Sequence, residues 1–403
     1  MPLDWTILIA ASIALAYQAA SLLASILFAE KRRVRYGRTP LSSLPPVSVL
    51  KPVRGLDDNL LEALRSHMRQ DYPEYEVLIG IHSREDPAWP VLEQLQREFP
   101  DRPLRIVLST TQAENAKVGV LIDLARLARH PVWLMSDADI QAEPDYLRRV
   151  TAPLDDERTG LVTCLYRPSA SSLAGRFEAL VIATDFIPST LVAPIVGVRE
   201  FGLGSTICFR AKDLQAAGGF ERLAAYIADD YQLAKAITSS GKRATFSEVV
   251  GDTTLSDPGW RDVWRHQMRW ARTIRVSRLD GFAGLPVTHA GLWALLCAAT
   301  GQWPMALTLW LARCAAGAFA GFVILRHWPA LLLAPLLPLC DLWGFALWCG
   351  AWLGRTAWWR GRLYRLEADG RIRLIGEQSL AAKNRNGVGM PEKVEEHAQG
   401  RQR

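Results

Sequence analysis

Apolar residues follow two patterns along this chain. Between Val47 and about residue 280, short apolar runs alternate with amphipathic stretches; on either side the runs lengthen until they are nearly unbroken. In the middle region Val47–Leu50, Tyr75–Ile81, Arg105–Leu108 and Val132–Met135 have the length and β-branched content of buried strands. Helical spacing fills the intervals: Asn59–Gln70 with Asn59 placed to cap it, Pro90–Glu98, Ala116–Ala128 and Pro144–Val150. Such alternation predicts an α/β fold with a Rossmann-like, mostly parallel central sheet covered on both faces. From Gly160 the pattern loosens into strands and loops, with Leu161–Tyr166 and Thr206–Arg210 the clearest strands and a helix from Asp229 to Ser239.

The flanks follow the other pattern. Trp5–Phe28 carries no charge, and a bilayer crossing needs roughly 20 apolar residues. Asp4 precedes this stretch, while Lys31, Arg32, Arg33, Arg35 and Arg38 follow it. The positive-inside rule predicts an uncleaved anchor, with residue 31 onward on the cytoplasmic side of a membrane of the bacterial inner type. Leu285–Leu353 is nearly continuous apolar sequence, broken by Arg313 and by Arg326-His327, with room for two or three segments. The basic run after Gly354 predicts a cytoplasmic C-terminus, hence an even number of crossings and one re-entrant or interfacial piece. The expected organisation is an anchor (1–30), a basic linker (31–46), an α/β domain (47–280), a C-terminal membrane region (281–356) and a polar tail (357–403), disordered from about residue 377.

Composition narrows the partners. The 403 residues carry a formal charge of +6. Much of the basic excess lies in Lys31–Arg38 and Arg355–Arg373, both abutting apolar segments, so lipid headgroups rather than nucleic acid are the expected partner. Six cysteines form no CxxC pair, which argues against a zinc site or disulfide framework.

Carboxylates close the buried runs. Asp86 follows Ile81, and Asp137-Ala138-Asp139 follows Met135 almost at once; in open α/β sheets the rim beyond the strands' carboxyl ends binds ligands. Two carboxylates two residues apart suit a hard cation such as Mg²⁺ or Mn²⁺, which would bridge a diphosphate; a solvated turn capped by Asp137 is the alternative. Asp229-Asp230 reads either as a cap and first-turn acid or, more sharply, as a cap at Asp229 and a general base at Asp230 that deprotonates an acceptor hydroxyl. Along Trp260–Arg275, at about 100° per residue, Arg261, Arg265, Arg269 and Arg272 share one face, and Trp260, Val263, Trp264, Trp270 and Ala271 lie on the other side. That is an amphipathic helix at a membrane surface, from which Arg269, packed by Trp270, can reach a diphosphate. Lys117 and Lys51 are candidate phosphate or nucleotide contacts, and Gly202-Leu203-Gly204 a close-approach loop.

This order of motifs resembles the ceramide glucosyltransferase family, glycosyltransferase family 21, and is similar to bacterial hopanoid-associated glycosyltransferases. The resemblance rests on Ser48-Val-Leu-Lys-Pro52, Gln70-Asp-Tyr-Pro73, Glu85-Asp-Pro87, Ser136-Asp-Ala-Asp139, Gly218-Gly-Phe220 and, most specifically, Tyr226–Ile237. It implies a GT-A fold, a UDP-sugar donor, acidic motifs for uridine (Asp86) and metal (Asp137, Asp139), and a catalytic aspartate at Asp230. The family's last motif has Gln or Arg three residues before Arg-Trp; here that position is His266. The resulting expectation is inverting transfer of a hexose from a UDP-sugar to a membrane-lipid hydroxyl, with ceramide as acceptor. The alternatives are a hopanoid acceptor with UDP-N-acetylglucosamine, a polysaccharide synthase, or a non-catalytic membrane protein that binds sugar nucleotides.

Overall fold

The computed structural model describes residues 3–35 and 44–377. A seven-stranded sheet organises the middle of the chain. Its strands are β1 (Val47–Pro52), β2 (Tyr75–Ile81), β3 (Leu104–Leu108), β4 (Val132–Ser136), β5 (Thr159–Ser169), β6 (Thr206–Arg210) and β7 (Arg243–Thr254), in the order β3-β2-β1-β4-β6-β5-β7. The first four strands are parallel, β6 runs antiparallel between β4 and β5, and β5 and β7 are parallel again. Side chains alternate across the pleat: Val47, Val49, Val77, Ile79 and Leu134 join one buried core, while Leu50, Leu78, Trp133 and Met135 join the other. Two filled faces explain why these strands read as unbroken apolar runs. Each such Leu or Val stabilises the fold by about 1.5–3 kcal/mol.

Helices α2 (Leu60–Met68), α3 (Trp89–Glu98), α4 (Ala116–Leu127), α5 (Tyr146–Thr151), α8 (Ala211–Ala216) and α9 (Asp229–Thr238) complete the domain. Two expected caps are replaced. Asn59 takes a left-handed conformation and donates to Thr254 instead of capping α2. The N-cap of α9 is Ala228, with Asp229 the first helical residue. Among the elements that escaped the sequence pattern, α6 (Leu173–Val181) runs through a π-turn at Ile182–Phe186 into α7 (Ile187–Val192).

Among the described residues three helices are long and apolar enough to span a membrane: Trp5–Val34, within α1 (Leu3–Arg35); Trp303–Ile324, built on α13 (Trp303–Ala318); and Ala334–Trp352, built on α15 (Leu337–Trp352). The amphipathic α10 (Trp260–Ser277) leads to Leu279–Thr288, containing α11 (Leu279–Gly284), and then to α12 (Ala290–Ala299), bent by 50°. Between the last two spans lies the short α14 (Trp328–Leu332). A bent pair of this kind is the form of either a broken span or a re-entrant loop.

Residues 357–377 are not the polar tail expected. Strands β8 (Thr356–Trp359), β9 (Arg362–Leu366) and β10 (Ile372–Glu377) form a second, antiparallel sheet that packs on the α/β domain, with Ile227 N–H donating to the Gly370 carbonyl and Ile372 N–H to that of Ala225. Ile227, Ala357, Tyr364, Leu366 and Ile372 make its small core. Residues 378–403, expected to be disordered, and 36–43, in the basic linker, lie outside the described residues.

Candidate active site

The chain leaves β1 towards β2 and β3 on one side and returns to β4 on the other. Such a switch point opens a crevice beyond the strands' carboxyl ends. A cavity of about 770 Å³ lies there, walled by the loops after β1 and β4, the Gly202–Ser205 loop, the start of α9, one face of α10 and the tip of the β8–β9 hairpin.

Asp137 and Asp139 leave β4 into this cavity. Asp137 Oδ1 accepts Lys117 Nζ at 2.8 Å, and Asp139 Oδ2 accepts the Thr253 hydroxyl at 2.6 Å. Burial, followed by the charge of Asp137, raises the Asp139 carboxyl above its usual range. Each carboxylate keeps a second oxygen free of hydrogen bonds among the described residues, so the pair fits a hard divalent cation. Lys117 also reaches Asp229 Oδ2 at 3.3 Å. It therefore ties the metal-type aspartates to the α9 pair, and the three carboxylates beside it outweigh its burial and raise its pKa.

Asp230 projects from the first turn of α9 onto the cavity wall. Its Oδ2 accepts Gly204 N–H at 3.1 Å, and its Oδ1 accepts Tyr231 N–H at 2.7 Å. Burial and the neighbouring Asp229 push its carboxyl up to about 6 against the pull of Lys117 and both N–H groups. The glycine loop does make a close approach: a Cβ at Gly204 would sit 3.3 Å from Asp230 Oδ2 and 3.5 Å from Lys117 Nζ.

Helix α10 sends Arg265, His266, Arg269, Trp270 and Thr273 to the wall, so Trp270 belongs to the cavity face rather than the opposite one. Arg269 takes no ion pair among the described residues; it lies over the Trp359 ring at 5.8 Å. Burial and the charge of Arg360 lower its pKa to about 10. Trp270 packs against Phe186 (5.3 Å) and His266 (4.7 Å).

Two candidates lie off the wall. Lys51 is fully buried beneath the aspartate turn, donating to the Asp137 carbonyl at 2.6 Å and to the Ser136 hydroxyl. Burial lowers its pKa to about 7 although Asp139 and Asp137 oppose this. It supports the turn from below. Asp86 is buried as well, and its carboxylate accepts Gly55 N–H (2.9 and 3.1 Å) and Ala88 N–H (2.9 Å). Its place is to hold the loop after β1, whose residues Val53 and Arg54 reach the cavity.

Other wall residues were missed. Glu178, Ile182 and Phe186 come from the unexpected helix, Asp57 from the loop after β1, and Trp358, Trp359 and Arg360 from the supposed tail. His266 Nδ1 lies 2.7 Å from Glu178 Oε1, so the departure from Gln or Arg at this position has a carboxylate partner. A second acidic group, Asp185, His289 and Asp341, brings its ligand atoms within 4.8 Å of one another. It lies among the membrane helices around Arg313, whose guanidinium already answers Asp341.

The sequence matches the family described as Glycosyl transferase family 21 over residues 6–372. The chain belongs to that family. Its α/β domain is accordingly of the GT-A type. Within this family it is similar to Ceramide glucosyltransferase 1 of Caenorhabditis elegans, 32% identical over 218 residues covering 53% of this chain and 47% of that protein. Ceramide glucosyltransferase 3 of the same organism is 27% identical over 242 residues, 59% of this chain and 52% of that protein. The chain thus matches about half the length of these curated relatives. Among solved structures, "Mannosyltransferase PcManGT from Pyrobaculum calidifontis in complex with GDP-Man and Mn2+" aligns with 83% of this chain and 99% of that one, at 21% identity and a TM-score of 0.48.

Proposed function

We propose that this family 21 member is an inverting glycosyltransferase that moves a hexose from a UDP-sugar to the hydroxyl of a membrane lipid, ceramide in the first instance. The observation that carries the reading is the convergence of Asp137, Asp139, Lys117, Asp230 and Arg269 on one cavity bordered by the amphipathic α10. The names of its curated relatives support ceramide as acceptor and glucose as donor sugar. Asp137 and Asp139 would hold a divalent cation, whose charge would offset the negative charge that develops on leaving UDP.

The chain's own groups do the rest. Gly204 and Tyr231 N–H fix the Asp230 carboxylate, and Lys117 favours its charged form. Asp230 takes the proton of the lipid hydroxyl as its oxygen bonds to the anomeric carbon. The bond from that carbon to the β-phosphate oxygen breaks, and its electron pair leaves with UDP. Entry of the hydroxyl opposite the leaving group inverts the anomeric configuration. Arg269, poorly paired within the protein, stabilises the departing diphosphate. The basic residues at the C-terminal end of α1 support placing the domain on the cytoplasmic face.

Membranes containing the full chain, given labelled UDP-glucose or UDP-N-acetylglucosamine with Mg²⁺ or Mn²⁺, are expected to glycosylate added ceramide. Asp230→Asn should lower transfer by about 10²–10⁴-fold while UDP-sugar binding survives. Transfer to a hopanoid polyol alone would reassign the acceptor. Binding without transfer by the wild type would support a non-catalytic protein.

A further inference from the structure

Arg360 sits at the tip of the β8–β9 hairpin, where Trp359 pairs with Arg362 across a two-residue turn. Both turn residues have positive φ, 49° at Arg360 and 79° at Gly361. The first position of such a turn favours Asn, Asp or Gly, so turn chemistry does not account for an arginine there. The side chain reaches into the cavity and grips Asp57, Nη1 to Oδ1 at 2.5 Å and Nη2 to Oδ2 at 2.8 Å. Asp57 stands in the loop after β1, near enough to Asp139 for its charge to be felt there, and Asp57, Asp139 and Asp137 all act on Arg360.

A two-pronged guanidinium grip on a carboxylate is the geometry that also clamps a phosphate. Arg360 is near enough to disfavour the charge of Arg269, and Arg269 lies on the ring of Trp359, the residue before Arg360. Two guanidiniums gathered beside a carboxylate pair suited to a cation make a surface for a metal-bridged diphosphate.

We propose that Arg360 is a donor-binding residue: on entry of the nucleotide it exchanges Asp57 for the diphosphate, so that the hairpin beyond the last membrane span closes the donor site. This rests on the UDP-sugar reading above and adds to it a residue from outside the α/β domain. The Asp57 carboxylate then acts as a placeholder for phosphate until the nucleotide enters.

The test measures binding of UDP and of uridine, each with Mn²⁺, to the purified full chain by calorimetry. Arg360→Gln is expected to weaken UDP binding at least tenfold, leave uridine binding unchanged and raise the donor KM. Arg360→Lys should recover part of the UDP affinity. Asp57→Asn, which removes the competitor, should keep or strengthen UDP binding. Equal loss of UDP and uridine in Arg360→Gln, or matching defects in Arg360→Gln and Asp57→Asn, would make the pair a structural latch and overturn the proposal. Unchanged UDP affinity in Arg360→Gln would overturn it while leaving the donor reading intact. A wild type that binds no UDP would remove both.

Discussion

At Asp230 the surroundings pull in two directions. Burial and Asp229 favour the neutral acid, whereas Lys117 and two N–H donors favour the carboxylate. A pKa near 6 suits a general base at neutral pH: charged enough to accept a proton, basic enough to want it. The pH profile of kcat/KM at saturating cation should therefore show an acidic limb near pH 6, with activity lost below it; a flat profile from pH 5 to 8 would remove Asp230 from the role. The sign for stability is the reverse of that for activity. The folded-state pKa exceeds the ordinary value of 3.8, so the folded chain holds this proton through pH 4–6 where the unfolded chain releases it, and stability falls as pH rises through that window. Asp230→Asn should thus melt higher than wild type at pH 7.5, by on the order of 1 kcal/mol after allowing for solvent in the cavity, with the gap closing near pH 4. Thermal melts in detergent check this. Asp230 was visible in the sequence because its chemistry follows from residue type and its place on a helix start. Lys51 and Asp86 lie buried off the cavity wall, because strand position fixes the rim a residue is near, but not whether its side chain turns outward or beneath the loop.

Elements differed in legibility for physical reasons. Strands β2 and β6 follow their apolar runs to the residue, and α10 shows its arginine face plainly, since burial on a known side imposes a period. The helix through Leu173–Val192 has core on one face and membrane helices on another, so no polar stripe marks it, and Pro188 looks like a break although it occupies the start of α7. The C-terminal sheet was hidden by its arginines, which make an exposed, half-paired sheet look like a solvated tail. The glycine loop is the element where a small change should act most cleanly. A methyl at Gly204 meets Asp230 Oδ2 at 3.3 Å and has to push the carboxylate or the loop. Gly204→Ala should lower kcat by roughly 10–100-fold and leave UDP binding near its wild-type value. Equal kinetics would show that the loop yields freely.

Seen whole, the molecule couples its sheet domain to its membrane helices through one buried ionic network. The sheet β8–β10 packs on the α/β domain from beyond the last span, so the crossings between them must be even; the spans Trp303–Ile324 and Ala334–Trp352 provide two. Arg313 on α13 donates through Nε to Asp341 Oδ1 at 2.9 Å, and Asp341 Oδ2 accepts Gly291 N–H from α12 at 2.7 Å. The other arm of the guanidinium, Nη1, donates to the Thr184 carbonyl at 2.9 Å, within the π-turn whose Ile182 and Phe186 side chains line the cavity. At Gly291 a Cβ would come 2.0 Å from the Pro338 carbonyl, so α12 and α15 approach as closely as glycine permits. Replacing one ion leaves the other buried without its partner, which costs about 3–5 kcal/mol, whereas replacing both with apolar groups of similar size is often near neutral. Arg313→Met should therefore lower the melting temperature sharply and reduce transfer, because the π-turn loses its anchor. The double variant Arg313→Met, Asp341→Leu should regain most of the stability but not the grip on Thr184. If its transfer rate recovers along with its melting temperature, the network serves packing alone; stability restored with transfer still low would place the coupling between membrane and cavity at that carbonyl.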